Sequence, residues 1–124
     1  MNTPEAENRH HSEETTEQIA KVLIAGEIND DLFRSVAPGL LDAVKDEKVQ
    51  EIWCYLNTSG GNGHIALALY DIIRNSPKPV TIVGLDRVMS TGLIVLSAAT
   101  NRLATPNTRL MFHQADWSLM KKLH

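Results

Sequence analysis

The sequence predicts an α/β fold built of repeated β-α units with a mainly parallel sheet. Three observations carry that reading. Short apolar or β-branched runs of strand length recur at Val22-Leu23-Ile24, Ile52-Trp53-Cys54-Tyr55-Leu56 and Val80-Thr81-Ile82-Val83. Segments with helical spacing of apolar residues lie between them. The joints carry glycine, asparagine, aspartate or proline, which favour turns. Strands alternating with helices of about 10–15 residues argue for parallel strands joined by right-handed crossovers.

Taken in order, residues 1–18 are polar and acidic, with Glu5, Glu7, Glu13, Glu14 and Glu17 and no apolar period. They are expected to form a mobile tail ahead of a domain spanning 19–124. The neighbouring His10 and His11 have no third ligand in reach, so no metal is expected there. The run Ile19 to Ala25 is the first strand. Gly26-Glu27-Ile28-Asn29-Asp30-Asp31 is a turn ending in good helix caps. A helix follows from about Asp31 to Lys45, with Leu32, Val36, Leu40 and Val44 every four residues and Phe33 and Leu41 widening the face. Pro38 inside it removes an intrahelical hydrogen bond and predicts a kink.

Glu51 to Leu56 is the second strand, and Asn57-Thr58-Ser59-Gly60-Gly61-Asn62-Gly63 is the loop after it. A helix from about His64 to Arg74 is expected to bury Ile65, Leu67, Leu69 and Ile72 or Ile73. Trp53 and Tyr55 are read as core. Pro77 and Pro79 end the helix and force an extended entry to the strand Val80–Val83. Asp86-Arg87 reads as a surface turn pair or as a feature shaping the pocket beside Ser90. The apolar stretch Leu93 to Ala99 is a third helix. Asn101–Ala104 is a short strand, Pro106-Asn107 a turn, and Arg109–His113 a last strand. Trp117 to His124 is a short basic terminus.

Composition narrows the function. A chain of 124 residues makes at most one small domain. Twelve basic against fifteen acidic residues give a formal net charge of −3, so no basic excess draws it to nucleic acid or an anionic membrane. The start has no apolar signal-peptide core, and no apolar run approaches the roughly 20 residues that span a bilayer. One cysteine, Cys54, excludes an intrachain disulfide and fits a reducing compartment, so a cytoplasmic location is expected.

In parallel α/β sheets the chemistry sits at the carboxyl ends of the strands. The Gly60-Gly61 loop, Ser90 and His113 all fall there. Ser90 at a strand-to-helix turn can cap the helix or act as a nucleophile. A nucleophilic serine needs a base, and His113 can supply one. It also needs N–H donors for the oxyanion. The Gly60-Gly61 turn and the Thr91 N–H at the helix start can supply these. No Lys-Ser or Lys-Thr follows the glycines and the GxGxxG spacing is missing, which argues against a nucleotide cradle.

From about residue 21 to 114 the chain resembles the proteolytic subunit family of the Clp protease, serine peptidases of the Clp-protease and crotonase fold. The matching pieces are Gly26-Glu27-Ile28-Asn29-Asp30, Tyr55-Leu56-Asn57-Thr58-Ser59-Gly60-Gly61, Leu69-Tyr70-Asp71, Met89-Ser90-Thr91-Gly92 and Ala104-Thr105-Pro106-Asn107-Thr108-Arg109-Leu110-Met111-Phe112-His113-Gln114. Their order and spacing are jointly specific. The resemblance implies Ser90 as nucleophile, His113 as general base, and the N–H groups of Gly61 and Thr91 as the oxyanion hole, with no metal. It implies self-association into rings of seven, with no cofactor of the subunit's own. A Clp-type ATPase partner would spend ATP to feed in unfolded polypeptide chains.

Four departures qualify it. Ser59 stands where the family's loop usually has proline. Asp86 and Arg87 stand where a small, glycine-containing stretch is usual. The segment from Ser90 to His113 is about two residues short. The family's aspartate follows the histidine after a long helix and a further strand, and here eleven residues follow His113; Asp116 is not assigned that role. The chain is therefore expected to be truncated at its C-terminus, with the domain incomplete there. Two alternatives stay open: a catalytically silent, Clp-like structural or regulatory subunit, and a crotonase-type enzyme acting on an acyl-thioester.

Overall fold

The computed structural model describes residues 18–112. The expected N-terminal tail (apart from Gln18), the His10-His11 pair, His113 and the basic terminus lie outside the described residues. The element order is β1 (Ile19–Ala25), α1 (Asp30–Lys45), β2 (Glu51–Thr58), α2 (Gly63–Arg74), β3 (Val80–Met89), α3 (Gly92–Ser97), β4 (Asn101–Ala104) and β5 (Arg109–Met111). The strand–helix alternation follows the sequence reading throughout.

All strand pairings are parallel. The sheet runs β1-β2-β3-β4, and β5 also pairs with β3. β4 lies beside residues 81–84 of β3, while β5 lies beside residues 87–89. Sequential strand order with right-handed crossovers puts the three helices on one face. The burial pattern agrees. Ile24, Ile52, Cys54, Leu56, Val80 and Ile82 form one core with Leu32, Leu40, Leu69, Ile73 and Val95 of the helices. The opposite face carries the in-register row Leu23, Tyr55, Val83 and Leu103. Leu23 is 63% exposed and Leu103 49%. Trp53 and Tyr55 point to this face and are only half-buried, so they are not part of the helix-covered core. The Trp53 Nε1–H donates to Glu51 Oε1 at 2.6 Å.

The helices start where the caps put them. Asn29 Oδ1 accepts from Leu32 N at 2.9 Å, and Asn62 Oδ1 accepts from His64 N and Ile65 N at 2.8 and 3.1 Å. α1 continues through Pro38 as one element. Pro38 and Gly39 face solvent, where water can satisfy the carbonyl that proline leaves without a partner. Its buried face is Leu32, Val36, Ala37, Leu40 and Ala43. Leu41, expected on that face, is 42% exposed. In α2 the buried residues are Ala66, Leu69 and Ile73, while Leu67 is 49% exposed and Ile65 and Ile72 are partly buried. One row of small and large residues closes each helix on the sheet, and the leucines one position off that row stay outside.

Three boundaries differ from expectation. β2 runs on to Thr58, which shortens the glycine loop. α3 is six residues long and ends at Ser97 rather than Ala99. β3 is ten residues long and includes Asp86-Arg87. These two do not form a surface turn. They form a bulge, since Leu56 pairs with Gly84 but Thr58 pairs with Val88, leaving β3 two residues longer than β2 across the same interval. Asp86 takes a left-handed φ of 62°, and both side chains are exposed. Beyond the bulge the strand resumes and delivers Ser90.

Threonines fasten the β4–β5 turn to β3. Thr108 Oγ1 donates to Gly84 O at 2.8 Å and shares a 2.7 Å hydrogen bond with Thr105 Oγ1. A Cβ on Gly84 would lie 3.2 Å from Thr108 Cγ2, so the small residue lets this turn close.

Cys54 sits in the core with no exposed surface. Desolvation pushes its thiol from 9.0 up to about 12, because burial disfavours the thiolate. A folded value above the unfolded one means full stability below about pH 9 and a loss as pH rises toward about 12. The stability gap between the wild type and Cys54→Ala, read from urea midpoints, is therefore expected to narrow between about pH 8 and about pH 10.5. A constant gap would contradict this.

Candidate functional site

The site forms where the carboxyl ends of β1, β2 and β3 meet. The chain leaves β1 through Gly26, at φ 115°, whose N–H donates to Asn57 O at 3.0 Å. It leaves β2 through Gly60 and Gly61, at φ 101° and 151°. It leaves β3 through Ser90, at φ 53°. A serine in the left-handed region is uncommon and costs backbone energy, so its surroundings must hold it there. Three hydrogen bonds around the turn do so. The Ser90 N–H donates to Met111 O at 2.8 Å, and the Ser90 carbonyl accepts from Leu93 N at 3.0 Å. Thr91 Oγ1 donates to Gly61 O at 3.3 Å.

The glycine loop is pinned equally well. Ile28 N donates to Gly60 O at 2.9 Å, and Asn62 N donates to Ile28 O at 2.7 Å. A Cβ on Gly61 would overlap the Ile28 carbonyl oxygen. A Cβ on Gly60 would lie 2.8 Å from Ser90 Cβ and 3.3 Å from Ser90 Oγ. Glycine is required because the loop backbone passes against Ile28 on one side and against Ser90 on the other.

The sequence-predicted residues fall as follows. Ser90, Gly60, Gly61 and Thr91 come together at one strand end. Ser90 does not cap α3: Thr91 occupies the cap position, and no side chain caps that helix. Among the described residues, neither the Gly61 N–H nor the Thr91 N–H donates a hydrogen bond. Thr91 follows Ser90 in the chain, and its hydroxyl ties it to the Gly61 carbonyl. His113 lies outside the described residues; in the sequence it follows Met111, the acceptor of the Ser90 N–H, by two positions. An open groove of about 400 Å³ starts at Ser90 and Thr91 and is lined further by Leu93, Ile94, Ser97 and Phe112. Among the described residues no group of three or more His, Cys, Asp or Glu is placed to hold a metal.

Sequence reasoning passed over Thr58. It is 1% exposed and hydrogen-bonded to Gly26 at the end of β1 and to Gly60 of the glycine loop. The signal available was its place at an even position of β2, in line with Ile52, Cys54 and Leu56, which marks a polar side chain on the core face.

Comparison with known proteins gives the family. Residues 6–122 match the family model described as Clp protease. The chain is 30% identical over 95 residues to the ATP-dependent Clp protease proteolytic subunit 1 of Leifsonia xyli, covering 75% of this chain and 48% of that protein. It is 32% identical over 97 residues to the ATP-dependent Clp protease proteolytic subunit of Deinococcus radiodurans, covering 77% of this chain and 48% of that one. The solved structure of ClpP1 from Listeria monocytogenes superposes with a TM-score of 0.70 at 31% identity, covering 85% of this chain and 61% of that chain. The chain spans about half the length of the curated relatives it matches. By family model, sequence and fold alike, the chain belongs to the Clp protease family.

Proposed function

We propose that this chain is a serine-type endopeptidase subunit of the Clp type, acting on unfolded polypeptide. The observation that carries the reading is the left-handed Ser90 turn packed against Gly60, with the N–H groups of Gly61 and Thr91 beside it and without acceptors among the described residues. In the proposed reaction Ser90 Oγ attacks the peptide carbonyl while His113 takes its proton. The carbonyl oxygen becomes an oxyanion, which the Gly61 and Thr91 N–H groups stabilise. His113 then protonates the leaving amine, and water releases the acyl group by the reverse sequence. His113 takes this role from the family pattern. The groove beside Ser90 is walled by Leu93, Ile94 and Phe112, which favours an apolar substrate side chain.

The curated relatives are named ATP-dependent, which supports an ATPase partner for this chain. Leu23, Leu103, Leu110, Met111 and Phe112 are all about half-exposed or more, which supports association with further chains. The subunit itself needs no cofactor for this chemistry. A cytoplasmic setting fits a lone buried thiol, and no described helix is long and apolar enough to cross a membrane. A silent, ring-forming subunit is the second reading. It is favoured by the exposed Asp86-Arg87 bulge directly ahead of Ser90. Reaction with a fluorophosphonate separates the two: the endopeptidase reading predicts a covalent adduct, and the silent-subunit reading predicts none on a folded sample.

A further inference from the structure

We infer that Thr58 is a positioning residue for the oxyanion loop, an inference that rests on the serine-peptidase reading above. Its side chain reaches all three segments that frame Ser90. The hydroxyl donates to the Gly26 carbonyl at the end of β1, at 2.6 Å. The same oxygen accepts from the Gly60 N–H at 3.0 Å. The methyl group faces α3: a Cβ on Gly92 would lie 2.5 Å from Thr58 Cγ2. With 1% of its surface exposed, the residue has no water to replace these partners.

The consequence for Gly61 follows from peptide geometry. The Gly60 carbonyl and the Gly61 N–H belong to one planar trans peptide and point in opposite directions. The Gly60 carbonyl is held by Ile28 N. The Gly60 N–H, in the preceding peptide, is held by Thr58. Two anchors on Gly60 fix both of its torsions, and so fix where the Gly61 N–H points. Glycine at φ 101° cannot hold that direction by itself, since it enters many conformations with little cost. Thr58 therefore replaces conformational freedom with a fixed donor, which is what electrostatic stabilisation of an oxyanion requires. The hydroxyl, which valine lacks and serine keeps, ties the two backbones, and the methyl adds packing against α3.

The test compares Thr58→Val, which keeps the shape and loses the hydroxyl, with Thr58→Ser, which keeps the hydroxyl. Amide hydrogen exchange is followed at Gly60 and Gly61, and peptide hydrolysis is followed in parallel. In the wild type, Gly60 is expected to exchange at least about tenfold more slowly than Gly61. Thr58→Val is expected to erase that difference and to lower kcat about 10- to 100-fold with KM little changed. Thr58→Ser should keep both within a few-fold of wild type. The inference is overturned if Gly60 exchanges as fast as Gly61 in the wild type, or if Thr58→Val leaves the loop amides unchanged. It is also overturned if Val and Ser shift them equally, since packing alone would then explain the residue. Should Thr58→Val fail to fold, the wild-type exchange ratio and Thr58→Ser still decide. Wild-type chain without hydrolysis would defeat the peptidase reading, and the exchange data would still decide the role of Thr58 in fixing the loop.

Discussion

Peptide hydrolysis by the Ser90→Ala chain is expected to fall to background. Alanine keeps the left-handed turn within reach of the same backbone hydrogen bonds and removes only the attacking oxygen. The residual rate would come from the donors and the groove alone. His113→Ala is expected to cost about 10²- to 10⁴-fold in kcat, the usual share of a general acid–base group, with KM little changed. The two losses should not add, because the base acts only through the serine. A double variant therefore should be no slower than Ser90→Ala. Initial rates on a fluorogenic peptide with an apolar residue before the scissile bond check this. A Ser90→Ala chain as active as wild type would remove the serine from the mechanism. An additive double variant would mean that His113 works on something else.

Gly61→Ala is expected to be among the most damaging single changes to the fold. The new methyl group would overlap the Ile28 carbonyl oxygen, a backbone atom in a turn fixed by hydrogen bonds to Gly60 and Asn62. The backbone torsion adds to the clash, since φ 151° lies where L side chains are rarely found. Neither term can be relieved by a side-chain rotation. Together they should cost roughly 2–4 kcal/mol. For a domain of this size that lowers Tm by roughly 10–25 °C. Gly60→Ala meets Ser90 Cβ as well as the Met89 carbonyl oxygen, so it should lose activity in addition to stability. Thermal unfolding followed by circular dichroism measures both. A Gly61→Ala chain that melts within about 2 °C of wild type would show that the β1–α1 turn moves freely, contrary to its hydrogen bonding.

Much of this was legible in the sequence because the local signals agree with the fold. The helix starts at Asn29 and Asn62 are marked by residues that cap, and the strands by apolar runs of the right length. Alternation of the two sufficed for a parallel sheet. What was not legible depends on contacts between distant segments. The bulge at Asp86-Arg87 exists because β3 must follow β2 and then turn toward β5, and neither residue announces that. Leu41 and Leu67 fit the helical period, yet both helices close on the sheet through alanines a position or two away. The bare sheet face that leaves Trp53 and Tyr55 half-buried follows from all three crossovers having one hand, a property of topology rather than of any residue.

The candidate site divides in the same way. Ser90 and the two glycines are readable as types, since a serine at a strand-to-helix turn and paired glycines at a strand end are each unusual enough to mark. The reason for the glycines was not readable: each admits a specific neighbour, Ser90 in one case and Ile28 in the other. Thr58 was hidden because a single threonine in a strand is ordinary. Only its three contacts, to Gly26, Gly60 and the side of α3 at Gly92, distinguish it.

The central claim is that Ser90 is an activated nucleophile. The most direct measurement is fluorophosphonate labelling of the folded chain, followed by fragmentation to locate the adduct, with His113→Ala run alongside. The account predicts one adduct per chain, on Ser90, formed far more slowly when His113 is alanine. An adduct elsewhere, or none on a sample whose amide exchange shows the fold intact, would contradict it.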